Sequence, residues 1–122
     1  MNAAPPIFRP GPNIAMKVPT HQLDQTVMFY RDVLRLPVLN EFAPDLVFDF
    51  DGKRLWLDDT EHLSQAEVWL ELRCDDLEAA SEYLAAVGVT RCDHIEPLPP
   101  DFSGFWVSSP SSIIHLINGD AD

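Results

Sequence analysis

The stretch that decides the fold is PTHQLDQTVMFYRDVLRLPVL, residues 19–39. Over residues 21–35 its apolar side chains recur at the spacing of one helix face, namely Leu23, Val27, Tyr30 and Leu34. Thr20 can cap the start of this helix, and Pro37 ends the run. Before it, Asn13 to Val18 alternates between apolar and polar residues, as a half-buried strand does. The sequence therefore predicts a strand that leads directly into a helix.

Three short strand signals follow this helix. They are Val38–Phe42, Leu46–Phe50 and Arg54–Asp58, and the turn residues Asp51 and Gly52 separate the last two. The first half of the chain thus predicts one βαβββ module.

The second half repeats this order. Val68–Cys74 alternates like the first strand, and a helix is predicted over 76–87. The residues Asp75 to Glu78 have the spacing of a capping box, and Gly88 can end the helix. Three further strand signals are Thr90–His94, Gly104–Val107 and Ile113–Ile117. A second βαβββ module follows from this repeat.

The length of 122 residues fits one domain, predicted here over residues 13–118. Its modules span about 13–60 and 67–118. Residues 1–12, with four prolines, are expected to form an irregular Pro-rich arm.

Composition excludes several classes of protein. Twenty acidic and eight basic residues give a net charge of −12, which argues against nucleic acid as a partner. No apolar run suits a signal peptide or a membrane span, so we expect a cytoplasmic protein. Cys74 and Cys92 form no CxxC pair and are interpreted as reduced core thiols. No GxSxG elbow, P-loop or GxGxxG motif occurs.

Three stretches resemble the vicinal oxygen chelate superfamily, which groups glyoxalase I, bleomycin resistance proteins and extradiol dioxygenases. Residues 19–39 resemble its "DLxxAxxFYxxVLGxxxx" helix, residues 74–89 (CDDLEAASEYLAAVGV) the second copy, and residues 105–119 (FWVSSPSSIIHLING) the closing "DPDGxxIEL" hairpin. The resemblance implies an α+β fold in which two βαβββ modules form a half-open, curled mixed sheet with helices on the outer face. It also implies a homodimer.

Metal-dependent members of this superfamily place their ligands near the start of each module's first strand and on its last strand. Carried over by position, these sites fall on Asn13, Trp69, the neighbourhood of Trp56, and His115. Only His115 is a good ligand for a transition metal, and it is a weak candidate by itself. No cofactor is therefore predicted, although a divalent metal stays open.

Alternation along the strands gives a candidate groove independently of the resemblance. Ile14, Met16, Val18, Leu55, Leu57, Val68, Leu70, Leu72, Ile114 and Leu116 are expected to pack under the helices. Residues of the opposite parity then face the concave side, and we assign nine of them to ligand binding: Asn13, Lys17, Arg54, Trp56, Asp58, Trp69, Glu71, Arg73 and His115. Ile113 and Ile117 share this predicted face. Aromatic walls with a few placed polar groups are typical of small-molecule sites.

Each of these residue types has an alternative role. Trp56 and Trp69 either stack on a planar ligand or fill a subunit interface. The cations Lys17, Arg54 and Arg73 either clamp an anionic group or neutralise Asp58 and Glu71. His115 is a general base, a lone metal ligand or a hydrogen-bonded groove residue. His21, His62 and His94 are interpreted as surface residues.

We therefore expect a metal-independent small-molecule-binding protein of the bleomycin-resistance or glyoxalase-like type, with a ligand in an aromatic-lined groove. The alternative is a metal-dependent lyase, isomerase or dioxygenase whose ligand set combines His115 with Asp58 or Glu71. A metal-free enzyme with His115 as general base is a third possibility.

Overall fold

The computed structural model describes residues 5–119 and divides the chain into two compact units. The first unit is Pro12–Trp69, and the second comprises residues 5–11 and 70–119 of the described part. The strands are β1 (Phe8–Val18), β2 (Leu46–Phe50), β3 (Lys53–Asp59), β4 (Glu67–Cys74), β5 (Thr90–Arg91), β6 (Gly104–Ser108) and β7 (Ile114–Gly119). The α-helices are α1 (Thr20–Val27) and α2 (Leu77–Ala86). Asn40–Phe42 and Asp93–Ile95 form 3₁₀ turns.

In the first unit, β3 pairs with β1 on one side and with β2 on the other. The β1 pairing is parallel, with Asn13 opposite Arg54, whereas the β2 pairing is antiparallel, with Leu46 opposite Leu57. Buried apolar residues of these strands form a core, namely Val18, Phe48, Leu55 and Leu57. Leu23, Val27 and Tyr30 pack against it, which confirms most of the predicted helix stripe.

The predicted helix over 21–35 changes its winding halfway. Met28–Val33 is a π-helix, in which the backbone N–H of Leu34 donates to the Phe29 carbonyl at 2.9 Å. In a π-helix each backbone N–H donates to the carbonyl five residues earlier. Side chains spaced for 3.6 residues per turn therefore no longer lie on one helix face beyond Tyr30. Leu34 is 47% exposed for this reason, and Leu36 takes its place against the core.

In the second unit, β7 lies between β4, to which it is parallel, and β6, to which it is antiparallel. The short β5 pairs with β6. The core of this unit consists of Cys74, Ala80, Phe105, Val107 and Ile117, with Leu72 and Leu84 packed against it. Both units therefore bury one sheet face under one helix, and the mixed parallel and antiparallel pairing confirms the α+β class.

Both ends of α2 agree with the sequence prediction except that the N-cap is shifted by one residue. Asp76, not Asp75, is the N-cap, and its carboxylate accepts from the backbone N–H of Ala79 at 3.0 Å. Asp75 instead accepts from the backbone N–H of Ile7 at 3.1 Å. Gly88 has a φ of +85°, the left-handed conformation expected of a residue that ends a helix.

Three sequence predictions about strands are wrong. Residues 8–12 belong to β1 and are not irregular, whereas residues 1–4 of the predicted arm lie outside the described part. Val38–Phe42 makes only a single bridge from Val38 to Phe48, because the chain turns into a 3₁₀ helix at Asn40. The predicted strand Thr90–His94 ends at Arg91. Beyond it, the backbone N–H of Trp106 donates to Asp93 Oδ1 at 3.0 Å, so a side chain takes the place of the backbone carbonyl that would continue the strand pairing.

The predicted alternation also fails in β4 and β7. Val68 and Leu70, expected under a helix, are 40% and 38% exposed. Ile117, expected on the opposite face from the helix, is buried in the core with Leu72. The parity predicted for β7 is therefore wrong by one residue.

No helix within residues 5–119 combines the length and the apolar composition needed to cross a membrane. His21, His62 and His94 are exposed, as predicted.

Both cysteines are free and buried, in agreement with the sequence. Burial raises the pKa of the Cys92 thiol, and the neighbouring Asp93 carboxylate raises it further. A higher pKa lowers the thiolate fraction at neutral pH, and the thiolate is the reactive form.

We expect native Cys92 to react with iodoacetamide at neutral pH about tenfold or more slowly than in the urea-unfolded chain. Mass spectrometry of timed samples measures both rates. Equal rates in the two states would show that burial does not protect this thiol.

Substitution of the α2 cap should destabilise the protein. Asp76→Ala leaves the Ala79 N–H without its side-chain acceptor and should lower the free energy of unfolding by about 1 kcal/mol, measured by urea denaturation. Asp24→Ala, an exposed site inside α1, is the matched control and should change it by less than about 0.5 kcal/mol. An equal loss in both variants would contradict the cap assignment.

Candidate functional site

One face of the first-unit sheet carries five of the predicted binding residues. The parallel register sets Asn13 opposite Arg54 and Lys17 opposite Asp58, with Trp56 opposite Ala15 between these pairs. Directly paired residues project to the same side of a sheet, and residues two apart on one strand do so as well. Asn13, Lys17, Arg54, Trp56 and Asp58 therefore share a face, opposite to the buried Leu55 and Leu57.

An aromatic cluster lies at one end of this face. Trp56 and Phe42 are half-buried, with ring centroids 5.1 Å apart and planes tilted by 54°. The Trp56 indole N–H donates to Asn13 Oδ1 at 2.8 Å, which fixes the ring orientation. The Arg54 guanidinium carbon lies 5.1 Å from the centroid of the Phe42 ring, within the range of a cation–π contact.

Arg54 carries a charge that no carboxylate in residues 5–119 neutralises at ion-pair distance. Its cross-strand neighbour Asp49 accepts instead from the backbone N–H of Gly52, at 2.9 Å. A guanidinium next to the Phe42 ring, with the Trp56 ring beside that one, is suited to an anionic group on a planar molecule.

Lys17 is neutralised at the other end of the face. Its Nζ lies 2.8 Å from Asp58 Oδ2 and 4.4 Å from the centroid of the Trp69 ring, and the residue is only 4% exposed. Trp69 is also 4% exposed, and its indole N–H donates to Glu67 Oε1 at 2.9 Å. Lys17 and Trp69 therefore contact each other in the interior, whereas the Trp56 side chain stays partly exposed.

In the second unit, Glu71 and Arg73 lie on the face of β4 opposite to Leu72. Glu71 is buried and accepts from the Asn118 side chain at 3.2 Å, while Arg73 Nε lies 3.7 Å from Glu71 Oε1. Gly11 packs against the Glu71 side chain, and a Cβ at this position would clash with it. Glu71 is thus enclosed by neighbours of its own unit, in the internal ion-pair role considered for it.

His115 does not belong with these residues. In the register of β7, His115 is opposite Leu70, whereas Glu71 is opposite Leu116. His115 therefore projects from the same side as Leu72 and Ile117, and its assignment to the concave face is wrong. Aligned without a gap to "DPDGxxIEL", Ser112 takes the glycine position and Leu116 the acidic one. Ser112 has a φ of +64°, the left-handed conformation that a glycine usually provides. The turn therefore matches the "DPDGxxIEL" pattern without a deletion.

His115 instead lines a cavity of about 370 Å³ in the second unit. The cavity has walls from α2 and strands β4, β6 and β7, and all but a few of its residues are apolar: Phe8, Leu72, Leu84, Val89, Val107, Ser108, Ser109, Pro110, His115 and Ile117.

The residues at the superfamily's metal positions do not fit a metal ion. The indole N–H groups of Trp56 and Trp69 are engaged as donors and cannot coordinate one. His115 lies on the other side of its sheet from Glu71. Within residues 5–119 no group of three or more His, Cys, Asp or Glu side chains converges as metal ligands would.

Sequence reasoning missed three residues that shape these sites: Phe42, Gly11 and Asn118. Phe42 fell inside a predicted strand, so its place beside Trp56 depends on the 3₁₀ turn that replaces that strand. Asn118 follows from the corrected parity of β7, because it pairs with Arg73 in the register. Gly11 lay within the predicted irregular arm.

No protein-family model matches the sequence, and no curated protein is similar to it at a significant level. Solved structures are similar in fold. A Mn(II)-bound glyoxalase from Novosphingobium aromaticivorans superposes with a TM-score of 0.63 at 18% identity, over 93% of this chain and 40% of that one. A homoprotocatechuate 2,3-dioxygenase from Arthrobacter globiformis gives 0.62 at 22% identity, over 98% and 38%.

A hypothetical protein from Bacillus halodurans, BH1468, has a comparable length. It superposes with a TM-score of 0.61 at 12% identity, over 94% of this chain and 96% of that one. This chain spans only about two fifths of the glyoxalase and dioxygenase chains. At these identities the likeness concerns the fold, and it agrees with the sequence resemblance: the chain has the fold of the vicinal oxygen chelate superfamily.

Proposed function

We propose that this chain is a metal-independent small-molecule-binding protein of the glyoxalase-like, bleomycin-resistance type. Its site is the first-unit face that carries Asn13, Arg54 and Trp56, and its ligand is a planar aromatic molecule with a carboxylate or similar anionic group. The observation that carries this proposal is the Arg54 guanidinium 5.1 Å from the half-buried Phe42 ring, which in turn packs against Trp56.

The rings supply the surface for a planar ligand. Indole and phenyl rings bind flat molecules by offset or tilted stacking at low entropic cost, since each ring has only two rotatable side-chain bonds. The hydrogen bond from Trp56 to Asn13 Oδ1 holds the indole in place before a ligand arrives. This preorganisation reduces the free-energy cost of binding.

The charges favour an anion at Arg54. Asp58 already neutralises Lys17 at 2.8 Å, whereas Arg54 has only the Phe42 ring beside it among the described contacts. A carboxylate can accept two parallel hydrogen bonds from a guanidinium, which gives both affinity and orientation. The net charge of −12 opposes an anion at long range, so the affinity depends on these short-range contacts.

The enzyme alternatives receive less support. A metal site that combines His115 with Glu71 requires both donors on one side of the sheet, whereas β7 and β4 project them from opposite sides. Asp58 already forms an ion pair with Lys17 at 2.8 Å. As a general base, His115 would act on a molecule in the second-unit cavity, which it lines. The homodimer and the cytoplasmic location stay predictions from the sequence.

Metal retention distinguishes the binding proposal from the metal-dependent alternative. We expect less than about 0.1 ion per chain after incubation with Zn, Ni, Mn or Fe(II) and gel filtration, measured by inductively coupled plasma mass spectrometry. The physical reason is that Trp56 and Trp69 stand at two of the ligand positions. Retention of about one ion per chain would contradict the proposal.

The charge of Arg54 can be tested with 2-naphthoate as an aromatic anion. Arg54→Gln should weaken its binding about tenfold or more, because a charge-assisted hydrogen bond contributes about 1.5–3 kcal/mol. Isothermal titration calorimetry in the presence of a chelator measures the dissociation constant.

Lys53→Gln is the matched control. Lys53 is exposed, is adjacent in sequence, and projects from the other side of β3, so its loss should change the dissociation constant by less than about twofold. Equal effects of the two substitutions would show that only the general charge matters, and the Arg54 site would be wrong.

The ring of Trp56 should matter independently of charge. Trp56→Leu should weaken 2-naphthoate by about tenfold, because stacking and apolar contact with the ligand are lost. Loss of ligand-induced quenching of Trp fluorescence in this variant is the second measurement. Unchanged affinity and quenching would remove Trp56 from the site.

A further inference from the structure

Asp58 lies on the first-unit face at the end opposite to Arg54. Both residues belong to β3 and project to the same side of it as Trp56, which is midway between them. They are four positions apart, so their Cα atoms are separated by about 13 Å at the usual rise of a strand. A planar ligand that contacts both Arg54 and Trp56 lies along β3, and its far end points towards Asp58.

One oxygen of the Asp58 carboxylate is available at that end. Its Oδ2 accepts from Lys17 Nζ at 2.8 Å, whereas its Oδ1 has no hydrogen-bond donor among the contacts described for residues 5–119. The Asp58 side chain is 33% exposed and the Lys17 side chain only 5%. Because the ammonium is buried and the carboxylate is not, a ligand meets an acceptor at this position.

The ion pair with Lys17 decides which group suits this acceptor. Lys17 compensates the negative charge of Asp58, so the site requires no cation at this end. A carboxylate oxygen accepts hydrogen bonds and cannot donate them. A ligand that displaces water from Oδ1 without a donor of its own loses that hydrogen bond, at a cost in affinity. A neutral N–H or O–H group on the ligand restores it.

We infer that Asp58 selects the class of ligand: an aromatic anion that carries a hydrogen-bond donor on the ring edge opposite to its anionic group. The inference rests on the function proposed above, because it requires the anionic group at Arg54. Contacts at both ends of the ligand fix its direction on the face as well as its length, which the rings of Phe42 and Trp56 alone do not.

The probe for this inference is 6-amino-2-naphthoate, whose arylamine is neutral at pH 7. Its counterpart is 6-methyl-2-naphthoate, which has a similar size and no donor. Isothermal titration calorimetry with a chelator present should give a dissociation constant about three- to tenfold lower for the amino compound, in keeping with one net hydrogen bond. In 3-amino-2-naphthoate the amino group is next to the carboxylate, so this compound should have no such advantage over 3-methyl-2-naphthoate.

Asp58→Asn replaces the available acceptor with a donor. The carboxamide keeps one oxygen, which can still accept from Lys17, and its NH₂ group then takes the place of Oδ1. The preference for the 6-amino over the 6-methyl compound should therefore fall to within about twofold. Asp59→Asn is the matched control, because Asp59 is exposed and projects from the other side of β3, and it should keep the full preference.

Two results would overturn this inference alone: no preference for the 6-amino compound in the wild type, or an unchanged preference in Asp58→Asn. In both cases, binding of 2-naphthoate that depends on Arg54 would still support the proposed function. If Arg54→Gln left 2-naphthoate binding unchanged, the proposed function would fail and this inference with it. If circular dichroism shows that Asp58→Asn is unfolded, the comparison of 6- and 3-substituted compounds in the wild type decides.

Discussion

The alternation of side chains along paired strands is the constraint on which the first-unit site and the second-unit cavity both depend. Once Asn13 is opposite Arg54, the same register sets Lys17 opposite Asp58 and brings Leu55 and Leu57 under the helix. A slip of one residue would exchange the two faces completely. Because the apolar side chains of each strand must be buried in the core, the polar and aromatic side chains are left on the other face. The same alternation in β7 places His115 on the side of Ile117, and it places Asn118 on the side of Glu71.

Charged groups on these faces are mostly satisfied within their own unit. Lys17 is held by Asp58 and the Trp69 ring, and Glu71 by Asn118 and Arg73. A buried ammonium or carboxylate is costly unless it is paired. The fold therefore requires these contacts, whether or not the residues also bind a ligand. Arg54 differs because its described partner is an aromatic ring, which leaves its hydrogen-bond donors for a ligand. This difference, and not the number of charges, identifies the site.

The sequence predicted the elements well where one local rule decides them. The apolar stripe of α1, the glycine at the end of α2 and strand β2 were correct because spacing, backbone freedom and alternation act over a few residues. The failures have longer-range causes. The π-helix turned Leu34 outwards, and the 3₁₀ turn at Asn40 put Phe42 beside Trp56. For His115, the apolar run Ile113-Ile114 left the parity of β7 undecided, and only the pairing with β4 resolves it.

The central claim is that an aromatic anion binds at Arg54 and Trp56 without a metal. The most direct test is a crystal structure of the full chain with 2-naphthoate, grown in the presence of a chelator. The account predicts the naphthalene ring in contact with Trp56 and Phe42, and the carboxylate within about 3 Å of the Arg54 guanidinium. A ligand bound away from these residues in chelator, or one that appears only with a metal ion between it and the protein, would contradict it.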